Sequence, residues 1–283
     1  MKKERLRLFA LAFLIAGGAT RIISTASNAF HFPLTVLETQ VLLTAGFMVL
    51  WAVLARNQGE KWGLKWPGKN DWKKTFAALG LMFIIGILGR VLSPDMDAWY
   101  AGIAWLHDWT YVQQMLLTWI PLAVILEEVA VRGILQSKLQ QRFSPKIAIL
   151  SAALFFAFMH AYLLTYSAAN AYGIASFLMI IAQAFLITLL YYWTRSWIAT
   201  GILHLVANTF AAFQTFFHVS GQLELEFLIW GIWAIALIAY KDTAARFVQQ
   251  SISIIKKPSK ESGGDWMFLA VVIALPLVFL FVF

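Results

Sequence analysis

The sequence predicts an all-α fold, a polytopic membrane helix bundle of eight to nine transmembrane helices, and three observations carry that expectation. Apolar residues make up 61% of the 283-residue chain and charged residues only 13%, whereas a water-soluble domain averages ~45–50% and about a quarter. Stretches of the ~20 apolar residues needed to cross a bilayer recur from end to end. The basic residues collect in every second connection between them.

Taken in order, the apolar stretches run roughly over 8–27, 34–55, 75–92, 111–135, 147–165, 174–193, 197–217, 225–240 and 266–283. The first is interrupted by Arg21 and no small-x-small site follows it, so a retained helix is expected rather than a cleaved signal peptide. Every one of the 22 Lys and Arg residues except Arg21, Arg90 and Arg132 falls at the N-terminus or in alternate connections: 56–74, 138–146, Arg195 and 241–260. The intervening connections hold Asp95, Asp97, Asp108, Glu224 and Glu226. Cytoplasmic loops are the basic ones, so the N-terminus is expected inside. The same bias accounts for the net charge of +8 without nucleic acid as a partner. Tryptophans 62, 66, 72, 99, 105, 109, 197 and 266 stand near span ends, as interfacial anchors do. The segment 241–265 reads as an amphipathic connector along the membrane surface. No polar block is long enough for a sizeable extramembrane domain, and with no cysteine there is no disulfide, thiolate metal site or cysteine nucleophile. Three regions follow: N-terminal helices with a basic cytoplasmic loop (1–110), a central helical core (111–217), and C-terminal helices with the basic connector (218–283).

A charge in hydrocarbon costs ~2.5–3.5 kcal/mol on insertion scales, so each one calls for a partner or a task. The fourth stretch contains Glu127, Glu128, Arg132 and Gly133. Adjacent carboxylates on a helix point about 100° apart, and Arg132, four residues on, shares the face of Glu128. Glu128–Arg132 is the expected ion pair, which leaves Glu127 facing elsewhere. A carboxylate without a cation in a low-dielectric site is suited to general-base work. His160 closes the aromatic run of the fifth stretch, while His204 and Asn208 lie one turn apart on the seventh. At 1.5 Å per residue, Glu127 is roughly 16 Å from Lys138, His160 roughly 21 Å from Lys146, and His204 roughly 14 Å from Arg195. Those markers share the basic side, so the three groups share one layer.

The residue types then suggest a hydrolytic mechanism. Glu127, alone or with His160, deprotonates a water for attack on a peptide carbonyl. His204 and Asn208 donate to the oxyanion, and Glu128–Arg132 holds the helix and orients Glu127. Asn208 is open to another reading, as a helix–helix hydrogen-bonding residue. Zinc is the rival to a metal-free site: no cofactor is expected, but Glu127, His160 and His204 are the candidate ligands if Zn²⁺ is bound.

These residues resemble the CPBP family of intramembrane glutamic proteases, which includes the Rce1-type CAAX prenyl protease 2 and bacteriocin-processing relatives. Two glutamates followed after three residues by arginine match Glu127, Glu128 and Arg132. A Phe-x-x-x-His motif matches Phe156 and His160, and a His-x-x-x-Asn motif matches His204 and Asn208. The resemblance covers about 111–217. It implies an intramembrane endopeptidase in which Glu127 and His160 activate water and His204 with Asn208 forms the oxyanion hole. It also implies a membrane-associated peptide or protein substrate in the bilayer, and the expected setting is a bacterial cytoplasmic membrane. Val131 stands where the family usually has phenylalanine, and Ala182 and Ala184 stand at positions that are small and Gly-rich in the family; both look like packing changes. A proton-coupled transporter and a non-catalytic scaffold or immunity protein are the alternatives.

Overall fold

The computed structural model describes residues 36–56, 62–92, 108–160, 171–256, 265–266 and 268–270. Among these, every regular element is helical and no strand occurs. Helices α1 (Val36–Ala55) and α2 (Lys69–Leu92) precede the composite helix α3, which occupies residues 109–142. Then come α4 (Pro145–Met159), α5 (Ala171–Thr194), α6 (Trp197–Val219), α7 (Leu223–Ala239) and α8 (Lys241–Lys256).

The junctions follow from local chemistry. Ser144 accepts a hydrogen bond from the Ile147 N–H and Pro145 takes the first helical position, so α4 starts there. Ser196 caps α6 in the same way through the Ala199 N–H at 3.3 Å. Between α5 and α6, Arg195 adopts φ 54°, the left-handed conformation that ends a helix.

Helix α3 changes pitch twice. Pro121 lacks an N–H for the helix ladder, and the turn before it, Met115–Trp119, opens into π geometry. Regular α pitch holds over Ile120–Glu127 and then gives way to π-helix over Glu128–Gln136. All nine residues of that second segment are buried, whereas π geometry is mostly confined to single turns.

The bundle packs around α5 and α6. Helix α5 lies against α4 and α2; α6 lies between α3 and α7 and also touches α2; α1 covers α3. One apolar core joins α3, α4 and α5 through Val131, Leu135, Ala152, Phe156 and Ala184. A second joins α2, α5, α6 and α7 through Met82, Leu190, Leu203 and Trp233. In lipid, helix association depends on close packing rather than on expelling water, and small residues allow it. Gly80 of α2 is such a residue, because a Cβ there would run into the backbone of Leu237 in α7.

The protein is an integral membrane protein by its helices, but the expected eight to nine spans are not reached among the described residues. Lys69–Gly89, Val112–Arg142 and Phe177–Thr194 are long and apolar enough to cross a bilayer. Helices α7 and α8 make a fourth candidate if they count as one span bent by 74°. Two expected spans fail for visible reasons. The stretch 147–165 leaves helical geometry at His160, so α4 has only 15 residues. Helix α6 is long enough at 23 residues, but its polar face, with Thr200, His204, Asn208 and Gln214, dilutes its apolarity. The expected helix at 8–27 and nearly all of the one at 266–283 lie outside the described residues. The connector expected at 241–265 is helical over Lys241–Lys256, burying Ala244, Phe247 and Ser251.

Candidate active site

The polar residues of α3, α4 and α6 converge in one place. Glu127 ends the α-helical part of α3 and Glu128 begins its π segment. Their exposures differ: the Glu128 side chain is fully buried, and that of Glu127 is 18% exposed. His160 caps the C-terminus of α4. His204 sits in the middle of α6 and is almost completely buried.

Both imidazoles turn Nε2 toward Glu127, with His160 Nε2 3.9 Å from Oε1 and His204 Nε2 3.6 Å from Oε2. Each ring is held from behind through Nδ1. That of His160 lies 3.0 Å from the carbonyl oxygen of Phe156, one turn earlier. A carbonyl only accepts, so this Nδ1 carries the hydrogen and donates. The Nδ1 of His204 lies 3.0 Å from Glu128 Oε1 and donates to that carboxylate. In their neutral forms both rings therefore present an Nε2 lone pair to Glu127. Separations of 3.6 and 3.9 Å exceed direct hydrogen bonds but suit a shared water.

Glu128 is more tightly held than the sequence suggests. Its Oε2 accepts from the Thr200 hydroxyl at 2.6 Å, and its Oε1 faces both His204 Nδ1 and Arg132 Nη1, the latter at 3.6 Å. The expected Glu128–Arg132 pair forms, but without a hydrogen bond from the guanidinium. Instead Arg132 lies over the Phe156 ring, 4.2 Å from its centroid. Glu128 thus bonds His204 directly, a contact that the sequence reading did not include. Nor does Glu127 face away from all cationic groups, since either imidazole becomes one on gaining a proton.

Phe156 is more than passive packing. Its ring centroid is 5.0 Å from that of His160 and 5.6 Å from that of His204, the second contact edge-on at 74°. The same ring thus touches both imidazoles and the fully buried Arg132 guanidinium. Asn208, one turn beyond His204 on α6, lines a cavity between α6 and its neighbours.

The family profile described as Type II CAAX prenyl endopeptidase Rce1-like matches residues 108–210. The match covers about a third of the chain and supports the CPBP family of CAAX proteases for that segment. No curated protein and no solved structure matches it. The matched CPBP segment begins just before α3 and ends within α6, so it takes in Glu127, Glu128, Arg132, Phe156, His160, His204 and Asn208. The CPBP assignment carries the coarse class, a membrane-embedded CAAX protease-type hydrolase.

Sequence reasoning missed Thr200. The signal was present: Thr200, His204 and Asn208 stand at intervals of four on α6, so they share one helical face. Two of the family's departures have a packing basis here. Val131 is fully buried in the core with α4, and Ala184 is the fully buried contact of α5 with the same helix.

Proposed function

We propose that the protein is an intramembrane endopeptidase that hydrolyses a peptide bond of a membrane-associated protein or peptide with a water activated by Glu127. The observation that carries the reading is one carboxylate flanked by two Nε2 atoms whose rings are each fixed through Nδ1. A water among these groups gives one hydrogen to Glu127 and keeps a lone pair for the scissile carbonyl. His160, fixed by the Phe156 carbonyl, takes part in positioning and deprotonating that water. The proton is then passed to the leaving amine.

The oxyanion requires donors, and here the tautomer matters. A neutral His204 with its hydrogen on Nδ1 has none to give at Nε2. As the imidazolium it donates at Nε2 while Nδ1–H stays on the Glu128 carboxylate. Asn208 supplies the second donor, from its side-chain amide. Loss of one such donor typically costs ~10²–10³ in kcat. Glu128, Thr200, Arg132 and Phe156 act through His204 and His160 as positioning residues.

A carboxylate and two imidazoles are donors that zinc accepts, but among the described residues no group of three or more His, Asp or Glu side chains is arranged to hold a metal ion. No step is therefore routed through one. Activity of the purified protein is expected to survive 1,10-phenanthroline and EDTA; a loss restored by added Zn²⁺ overturns the metal-free route.

The membrane orientation with the N-terminus inside, a bacterial cytoplasmic membrane as the setting, and access to the site from the side of Arg195 belong to the same proposal. The decisive experiment is comparative membrane peptidomics of wild type against Glu127→Gln and His160→Ala, each checked for folding by its melting temperature. At least one cleaved species present in wild type should be missing from both variants. Turnover at the wild-type level in either variant refutes the site.

A further inference from the structure

On the side of Asn208 away from Arg195, α2, α5, α6 and α7 line a partly open cavity of about 120 Å³. That is space for about four waters at ~30 Å³ each, or one medium-sized side chain. Its wall carries several polar side chains: Gln183 from α5, Asn208, Gln214 and Thr215 from α6, and Glu226 from α7. Two of the lining residues carry a hydrogen-bond donor with no partner among the described residues. The indole Nε1 of Trp233, a residue only 5% exposed, is one, and the amide nitrogen of Gln214 is the other. Neither residue has another polar interaction among the described residues, and because both donor atoms are themselves buried, a side-chain turn brings them to a group that enters. Buried donors are rarely left unpaired in native proteins.

We propose that this cavity is a one-residue specificity subsite that receives the carboxamide of a substrate Asn or Gln side chain. The proposal rests on the peptidase reading, because Asn208 joins the cavity to the oxyanion site. A carboxamide offers an acceptor to Trp233 and Gln214 and donors to the oxygens of Asn208, Gln183 and Glu226. The other side-chain classes fit less well. A substrate carboxylate meets the Glu226 carboxylate, which already accepts from His218 Nδ1 at 2.9 Å and Trp230 Nε1 at 3.4 Å. A lysine leaves both unpaired N–H groups without an acceptor, and an aliphatic side chain leaves all of them so. Sites built to hydrogen-bond a substrate reject analogues that lack the group, because their own polar atoms are then stranded.

The test has a binding arm and a cleavage arm, both on the full chain in lipid nanodiscs. In the first, the Trp233 indole N–H resonance, assigned by its loss in Trp233→Phe, is followed while propionamide or isobutene is added. Saturable movement with propionamide and not with isobutene is expected, and Glu127→Gln protein should respond as wild type does. No response to propionamide, or an equal response to isobutene, overturns the subsite. In the second, a quenched-fluorescent peptide library is cleaved by wild type, Gln214→Met and Trp233→Phe. Wild type should prefer Asn or Gln over Leu at one position by at least tenfold, and both variants should reduce that preference to under threefold. Preference absent from wild type or unchanged in the variants overturns it. If propionamide binds as expected but Glu127-dependent cleavage of any peptide is absent, the peptidase reading fails while the amide site stands.

Discussion

Glu128→Gln is the substitution that most sharply separates a supporting ion pair from a group acting on the chemistry. In the structure Glu128 serves Arg132 at 3.6 Å and His204 at 3.0 Å. For the His204 imidazolium, the attraction at that distance is about 332/(20 × 3.0), or ~5.5 kcal/mol at an effective dielectric near 20. Glutamine keeps a carbonyl acceptor, so part of the orienting bond survives. The expected transition-state loss is therefore ~3–4 kcal/mol, about 10²–10³ in kcat/KM. The same change leaves the Arg132 guanidinium buried without its counter-charge, which typically costs ~3–5 kcal/mol in stability. The two effects are separated by adding Arg132→Met, which removes the stranded charge. Thermal melting in nanodiscs should show a large drop for Glu128→Gln and recovery toward wild type in the double variant. Turnover should stay ~10²–10³ below wild type in both. If the double variant regains turnover to within a few-fold of wild type, Glu128 is merely the partner of Arg132 and the role assigned to His204 fails.

The other predictions are simpler. Thr200→Val removes a hydroxyl that donates to a carboxylate at 2.6 Å, and hydrogen bonds to charged groups are worth ~1.5–3 kcal/mol; kcat should fall about 10–100-fold while substrate affinity is little changed, and an unaltered kcat refutes it. Gly80→Ala sets a methyl against the α7 backbone and should destabilise by ~1–3 kcal/mol, whereas Gly231→Ala, where a Cβ meets nothing within 4 Å, should be neutral or stabilising by up to ~1 kcal/mol; equal melting temperatures for the pair contradict the packing account. Arg195→Gly relieves the positive φ of 54° at the α5–α6 junction and should stabilise by up to ~1 kcal/mol, with Arg195→Ala giving no such gain.

Much of the site was legible because membrane burial makes polar residues conspicuous. Glu127, His160 and His204 stood out as residues that lipid does not tolerate without cause, and counting rise per residue from the basic markers set them at one depth. The 3.6–3.9 Å approaches agree with that count. What could not be read was the direction of each side chain. Helical spacing correctly paired Glu128 with Arg132 but said nothing of an element distant in sequence, so His204 and Thr200, more than 70 residues away, were not seen as Glu128's hydrogen-bonding partners. The π segment was equally invisible, since no propensity marks it; only Pro121 hints that α3 departs from regular pitch. Span counting fell short among the described residues for two reasons: α4 is apolar but stops at 15 residues, and α6 is long enough but its apolarity is compromised by the polar side chains of the site, whereas α3, which bears Glu127 and Glu128, still qualifies.

That compromise has a structural cost which the bundle meets by position. Helix α6 carries Thr200, His204, Asn208 and Gln214 on a 23-residue span, a composition that would be hard to hold in lipid alone. Here it packs against α2, α3, α5 and α7, and toward its N-terminal end Thr200 and His204 both hydrogen-bond Glu128. Farther along, the partners run out at Gln214 and Trp233. A purely structural polar stripe would be expected to be satisfied along its whole length, because unpaired donors in a low dielectric are expensive. Hydrogen bonds that fix the His204 ring, and unpaired donors nearly two turns past Asn208, fit the proposal of a helix that orients catalytic groups at one level and receives a substrate side chain at the next.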